Sequence, residues 1–245
     1  MRSIDLNCDV GEGIGLEAEI MPLVSSANIA CGAHAGDLAT MATVMEIARE
    51  HDVWMGAHPG FADRENFGRR EIRLGETELR TLVLQQLEAL AGVGRFDYVK
   101  PHGALYNMAA KDEDISHTVV ATVKEFNPDL WLMGLAGSRL LRIAADAGLK
   151  TVAEAFADRR YDDAGRLVSR ATSNAVISST EEAVDQVLNL VQHGRVKSIG
   201  GREVNVAAES ICLHGDNPAA LVLARCIREA LTAAEIKVQS FAARL

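Results

Sequence analysis

Short apolar runs alternate with longer stretches of helical period along the whole chain. Apolar runs bounded by turn residues predict strands, and apolar positions recurring every three or four residues predict helices. On that pattern strands are expected at 3–8, 27–30, 53–57, 98–100, 130–134, 151–156 and 210–213. Helices are expected at 37–51, 76–91, 112–126, 138–147, 180–192 and 217–234. In the first of these, Leu38, Met41, Val44, Met45 and Ala48 share a face behind Asp37, a suitable N-cap. Thr180, followed by Glu181 and Glu182, suits another helix start, Pro218 suits a first turn, and Gly148 suits a helix end. Segments 197–200 and 203–206 flank Gly201 and Arg202 and read as a hairpin. Two polar segments, 59–75 and 161–170, are too long to be simple connectors.

Repeated strand–helix units imply a parallel sheet, open or closed. An open doubly wound sheet needs a glycine-rich phosphate turn after its first strand. Here that turn reads Asp9-Val10-Gly11-Glu12-Gly13, which has no such fingerprint and carries two acids. The expectation is therefore one irregular TIM-like (β/α) barrel of about seven strands spanning residues 1–245.

Composition narrows the partners. A net charge of −9 argues against a broad nucleic-acid interface, and aromatic content of 4% leaves few stacking platforms for single strands. The four cysteines form no CxxC pair, so a zinc ribbon or redox dithiol is not expected. The N-terminus MRSIDLNCDVGEG has no apolar core of a signal peptide, and no apolar run approaches the roughly 18 residues of a membrane span. A cytoplasmic protein with free thiols and no membrane or nucleic-acid partner is the expectation, with a homo-oligomer left open.

The polar residues gather where strands end. Asn7, Asp9 and Glu12 belong to the first strand and its exit, and Asp5, Asn7 and Asp9 share one strand face by period two. Cys31, His34 and Asp37 follow the second strand, and His58 the third. Lys100 and His102 follow the fourth, Asp158 and Arg159 the sixth, and His214 and Asp216 the last. Strand C-termini of a parallel α/β fold share one face, so these groups should converge. Asp9, His34, His58, His102 and His214 are the candidates for acid–base work on a polarised carbonyl. Alternatively, Asp9, His34 and His58 would hold a divalent metal that activates water, although no HExxH or HxH motif is present. Lys100, Arg69, Arg70 and Arg159 are candidates for anion recognition, and no P-loop motif exists. Asp37 would cap a helix in any case. His51, His117 and His193 fall on helices or their ends and read as surface residues.

Seven segments carry a resemblance: DLNCDVGEG at 5–13, NIACGAHAGD at 28–37, GAHPGFAD at 56–63, NFGRRE at 66–71, VKPHGALYN at 99–107, EAFADRRYDDAGRLVSR at 154–170 and ICLHGDNPAA at 211–220. Together they resemble the LamB/YcsF family, from residue 4 to about residue 238. The resemblance implies a barrel similar to those of the glycoside hydrolase/deacetylase superfamily. It also implies a hydrolase of a cyclic amide: opening of 5-oxoproline to glutamate coupled to ATP hydrolysis, with ATP and Mg²⁺ at the level of a complex with B and C subunits. In such a reaction Arg69, Lys100 and Arg159 would bind phosphate or substrate, together with Asn7, Glu12, Asp37, Asp158 and Asp216. The histidines and Asp9 would move protons. Three positions depart from the family pattern: Val10 for Leu, Ala33 for Phe and Asn66 for Gly. Ala33 removes bulk beside His34, which bears on the exact substrate. Two other readings stay open: a stand-alone metal-dependent amidase or deacetylase, and a non-catalytic subunit that presents substrate.

Overall fold

The computed structural model describes residues 2–213 and 220–244. In chain order the strands are β1 (Ser3–Val10), β2 (Ser26–Ala30), β3 (Trp54–His58), β4 (Tyr98–Val99), β5 (Trp131–Leu135), β6 (Lys150–Phe156), β7 (Arg195–Lys197), β8 (Glu203–Asn205), β9 (Ser210–Leu213) and β10 (Lys237–Val238). The helices are α1 (Glu17–Ile20), α2 (Leu38–Glu50), α3 (Glu76–Val93), α4 (Gly103–Lys111), α5 (Glu113–Phe126), α6 (Arg139–Asp146), α7 (Thr180–His193) and α8 (Ala220–Ala233). Among the described residues seven parallel strands, β1 to β6 and then β9, close on themselves because β9 pairs with both β6 and β1. The barrel expected from the sequence is therefore the fold. No helix among the described residues is long and apolar enough to cross a membrane.

The irregularity has local causes. Between β1 and β2 the chain makes only α1 and a 3₁₀ turn, so the barrel is thinly covered there. After β4 it makes two helices in succession, α4 and α5, and the sequence pattern predicts only the second. Asp112 separates them by accepting from the Asp114 and Ile115 amides as the N-cap of α5. The hairpin is β7–β8, joined by a wider loop than expected, with Arg195 opposite Asn205. Helix α7 is capped by Ser179, one residue before the expected Thr180. β10 lies parallel to the start of β1 and is absent from the predicted elements. The expected start of the last helix at 217 lies outside the described residues.

Apolar side chains seal the end of the barrel where strands begin. Phe241 packs against Trp54, Tyr98 and Trp131 with ring centroids 5.4–5.5 Å apart, beside buried Met133 and Val152. Above this plug the interior is polar. Asp5 accepts from the hydroxyls of Ser25 and Ser26, both at 2.7 Å, and from Ser210. Asn7 donates to Glu154 at 2.9 Å and to Ser210 at 2.7 Å, and Tyr98 donates to Asn28 at 2.7 Å. Buried polar groups are tolerated when they are mutually satisfied, and such a network fixes one arrangement of the strands. It also carries the chain of polar groups upward to the mouth.

Candidate active site

The mouth is assembled on the C-terminal ends of β1, β2, β3, β4 and β6. Asp9 lies near the end of β1, His58 ends β3, and Lys100 directly follows β4 with its amide donating to Ala57 O at 2.9 Å. Lys100 is 2% exposed, and its Nζ contacts Glu154 Oε1 at 2.7 Å, Asp9 Oδ1 at 3.0 Å and Asn7 Oδ1 at 3.2 Å. Burial works against its charge, but Asp9, Cys212 and Glu154 overcome that cost and hold its pKa well above the usual range. Lys100, expected from the sequence to bind an anionic ligand, is held here by two carboxylates and also lines the cavity described below. Asn7 lies in the same buried network, below the mouth.

His34, His58 and His102 converge as the strand-end argument expects. His34 stacks on His102 with centroids 3.7 Å apart and planes 3° from parallel, and His58 meets both edge-on. All three are buried. His58 Nδ1 donates to Lys100 O at 2.7 Å, and His102 Nε2 donates to Phe67 O at 2.8 Å. Those two bonds fix the tautomers, so His58 Nε2 and His102 Nδ1 turn toward one another, 3.0 Å apart. Asp9 Oδ2 lies 3.5 Å from the first nitrogen and Glu12 Oε1 lies 3.5 Å from the second. Asp9, Glu12, His58 and His102 each place one donor atom within 4.8 Å of the others, so these four could hold a metal ion. The trio expected from the sequence is Asp9, His34 and His58; here His34 stands behind the group, donating from Nε2 to Glu12 at 3.1 Å. Burial, then the neighbouring His58, lowers the His34 pKa to about 3, so its imidazole is neutral.

The loop at 59–75 closes over these histidines, and one glycine makes that possible. Gly68 has φ +63°, and a Cβ there would come within 2.9 Å of His34 Cβ and 3.0 Å of His102 Cδ2. The loop also delivers Phe67 O to His102 and sets Arg69 over the Phe67 ring at 4.9 Å.

A cavity of about 960 Å³ opens above this group. Asp9, Glu12, His58 and His102 line it together with Arg69 and Arg159. Arg159 is 4% exposed; its Nη2 donates to Val168 O at 2.6 Å, and its Nε has no hydrogen-bond partner among the described residues. Burial, and then the like charge of Arg170, lower its pKa to about 10. A buried cation in this state is suited to an incoming anion. By contrast Arg70 is exposed beside Asp63, and Arg160 pairs with Glu182. Asp158 is buried beside Arg159, and its charge raises the Arg159 pKa. Asp37 is exposed, accepts from the Thr40 amide at 2.8 Å as the cap of α2, and is not among the described residues that line the cavity. His214 and Asp216 lie outside the described residues. His51, His117 and His193 are exposed.

Two groups at the site are not singled out by the sequence pattern. Glu154 sits wholly buried in β6, where an acid inside the apolar run TVAEAF is the available signal. Tyr106, on α4, lines the cavity, and burial followed by the Glu154 charge pushes its pKa well up.

Comparison with known proteins meets this geometry. The LamB/YcsF family matches residues 4–245. The chain belongs to the LamB/YcsF family. A curated member from Neisseria meningitidis serogroup C (strain 053442), named as the A subunit of 5-oxoprolinase, is 48% identical over 98% of this chain and 100% of its own. The crystal structure of the lactam utilization protein from Thermus thermophilus superposes with a TM-score of 0.90 at 40% identity, covering 97% of this chain and 99% of that one. A family 4 carbohydrate esterase from Streptomyces lividans, solved in complex with acetate, has a TM-score of 0.52 at 13% identity over 97% of this chain and 91% of its own. That likeness concerns the barrel of this LamB/YcsF member and nothing of its chemistry.

Proposed function

We propose that this chain is the A subunit of a 5-oxoprolinase and that its barrel mouth binds the lactam and opens the ring. The carrying observation is that one cavity joins a carboxylate–imidazole group to a buried arginine whose Nε–H has no partner among the described residues. A 5-oxoproline molecule offers two matching handles. Its carboxylate suits Arg159, with Arg69 close by in the same wall. Its amide then faces Asp9, Glu12, His58 and His102, groups able to hold or move protons at the carbonyl and the ring nitrogen. The names of the curated relatives and of the Thermus thermophilus protein support the same reading.

A five-membered lactam is a stable amide, and coupling to ATP makes its opening favourable. Phosphoryl transfer to the amide oxygen would make the ring carbon electrophilic. Water adds there, the ring C–N bond breaks as the nitrogen takes a proton, and phosphate leaves with a second water to give glutamate. ATP and Mg²⁺ belong to the complex in this scheme, and B and C subunits complete it in the cytoplasm. The test is glutamate release from 5-oxoproline, measured with this chain alone and with candidate B and C partners, with and without ATP. Release confined to the complete mixture with ATP supports the proposal. Release by the chain alone that ignores ATP overturns it in favour of a stand-alone amidase.

A further inference from the structure

We infer that Gln186 is a positioning residue for substrate recognition: from α7, behind the cavity wall, it holds the turn after β6 so that Arg159 faces the cavity. The inference rests on the reading that Arg159 binds the carboxylate of the lactam.

Gln186 stands out on its own helix. The buried side of α7 is formed by Ala183, Gln186, Val187 and Leu190, spaced as one helical face. The glutamine interrupts an otherwise apolar stripe. Burying a side-chain amide costs free energy unless its polar atoms are paired. An apolar side chain of similar size would cover the sheet without that cost, so its hydrogen bonds distinguish the residue.

Those bonds converge on a single turn. Gln186 Nε2 donates to Phe156 O and Arg159 O, each at 2.9 Å, and to Ala157 O at 3.2 Å. A side-chain amide nitrogen carries two hydrogens, so three carbonyls share them. Neighbouring carbonyls of a regular strand point to opposite edges, but these three turn toward one point as the chain leaves β6. Converging carbonyl oxygens repel one another, and the amide hydrogens hold them together. The wholly buried Tyr161 ties the same turn from its other end, where its hydroxyl accepts from the Phe156 amide at 2.8 Å.

The consequence falls on Arg159. Phe156 and Arg159 line the cavity, and Gln186 is not among the described residues that do. Arg159 is thus anchored twice, at its base by Gln186 and at its tip by the bond from Nη2 to Val168 O at 2.6 Å. Releasing the carbonyl lets the peptide after Arg159 rotate, and rotation at the base of a long side chain is magnified at the guanidinium. A displaced binding group weakens its contact with the ligand without abolishing it. Loss of Gln186 should therefore resemble loss of Arg159 in kind and be smaller in size.

The test is a double-mutant cycle in the reconstituted complex, with 5-oxoproline and the unsubstituted five-membered lactam as substrates. Gln186→Met should raise KM for 5-oxoproline by about 3–10-fold, the scale of a lost neutral hydrogen bond, and leave KM for the unsubstituted lactam nearly unchanged. In a chain that already carries Arg159→Met it should raise KM no further, because the group it positions is gone. Its effect on melting temperature should persist in that chain, which separates positioning from folding. Gln186→Asn withdraws the amide by one methylene and should give the same pattern at a smaller loss of stability. Val187→Ala, a buried truncation on the same helix, should lower the melting temperature and leave KM unchanged. If Arg159→Met raises KM and the Gln186 variants do not, this inference alone is overturned. A Gln186→Met effect that is equal for both lactams, or that adds in full to that of Arg159→Met, overturns it as well. An unchanged KM in Arg159→Met overturns the carboxylate reading, and the inference falls with it.

Discussion

Lys100 Nζ lies 2.7 Å from Glu154 Oε1 and 3.0 Å from Asp9 Oδ1, and the lysine is 2% exposed. The pair joins β4 to β6 across the barrel interior and fixes Asp9 beneath the cavity. Removing one partner of a buried ion pair strands the other charge and costs about 3–5 kcal/mol. Lys100→Met should therefore lower unfolding stability by about that amount in urea titrations, and Glu154→Gln added to it should recover part of the loss. A Lys100→Met chain of unchanged stability but poorer substrate affinity would return the lysine to the role of a ligand-binding cation.

Arg159 should read the carboxylate of the substrate. A charge-assisted hydrogen bond is worth about 1.5–3 kcal/mol, so Arg159→Met should raise KM for 5-oxoproline about 10–100-fold. The unsubstituted five-membered lactam, which lacks the carboxylate, should lose little. Steady-state kinetics of the reconstituted complex with both lactams checks this, and equal losses for the two would show that Arg159 acts on the fold and not on the carboxylate.

Asp5 should make the protein less stable as pH rises through the weakly acidic range. Burial raises its pKa from 3.8 to about 6, the hydroxyls of Ser210, Ser25 and Ser26 pull the other way, and Glu154 adds to the rise. The folded state binds this proton more tightly than the unfolded chain does. Its contribution is therefore fully present below about pH 4 and is lost as pH passes about 6, a change of roughly 3 kcal/mol. Denaturation of wild type and Asp5→Asn at a series of pH values isolates it, because other titrations cancel in the difference. A difference that stays flat from pH 4 to 7 would contradict this.

Much of the scaffold could be read from the chain. Alternation of Asp5, Asn7 and Asp9 with Leu6 and Cys8 marks a strand with one polar face, and in a closed barrel that face is the interior. The strand-end rule likewise brings His34, His58 and His102 to one mouth, because parallel strands all end there. Pair geometry was not legible. Whether Lys100 meets a ligand or Glu154 depends on strand register across the barrel, and single-strand periodicity does not contain it. Helix α4 was hidden because Lys100-Pro101-His102-Gly103 reads as a loop, and Gly103 starts the helix from φ +53°. Asp37 satisfied two rules at once, and the capping rule describes its contacts.

Gly68 is where loop and site meet. Gly68→Ala places a methyl group within 3.0 Å of His102 and His34 in a backbone region unfavourable to alanine. It should displace His102 and lower kcat of the reconstituted complex at least tenfold, beyond what its modest loss of stability explains. Parallel measurement of kcat and melting temperature decides this, and unchanged turnover would show that the loop does not position the histidines.

The proposed place of lactam opening is the barrel mouth of this chain. The most direct measurement is glutamate release by the complex assembled with His58→Ala, after circular dichroism shows the variant folded and co-purification shows the partners bound. Loss of a group that holds or moves protons at the reacting carbonyl typically costs 10²–10⁴-fold, and a fall of at least about 100-fold is the predicted result. A rate equal to that of the wild-type complex would contradict the account and leave this chain with the role of presenting substrate to its partners.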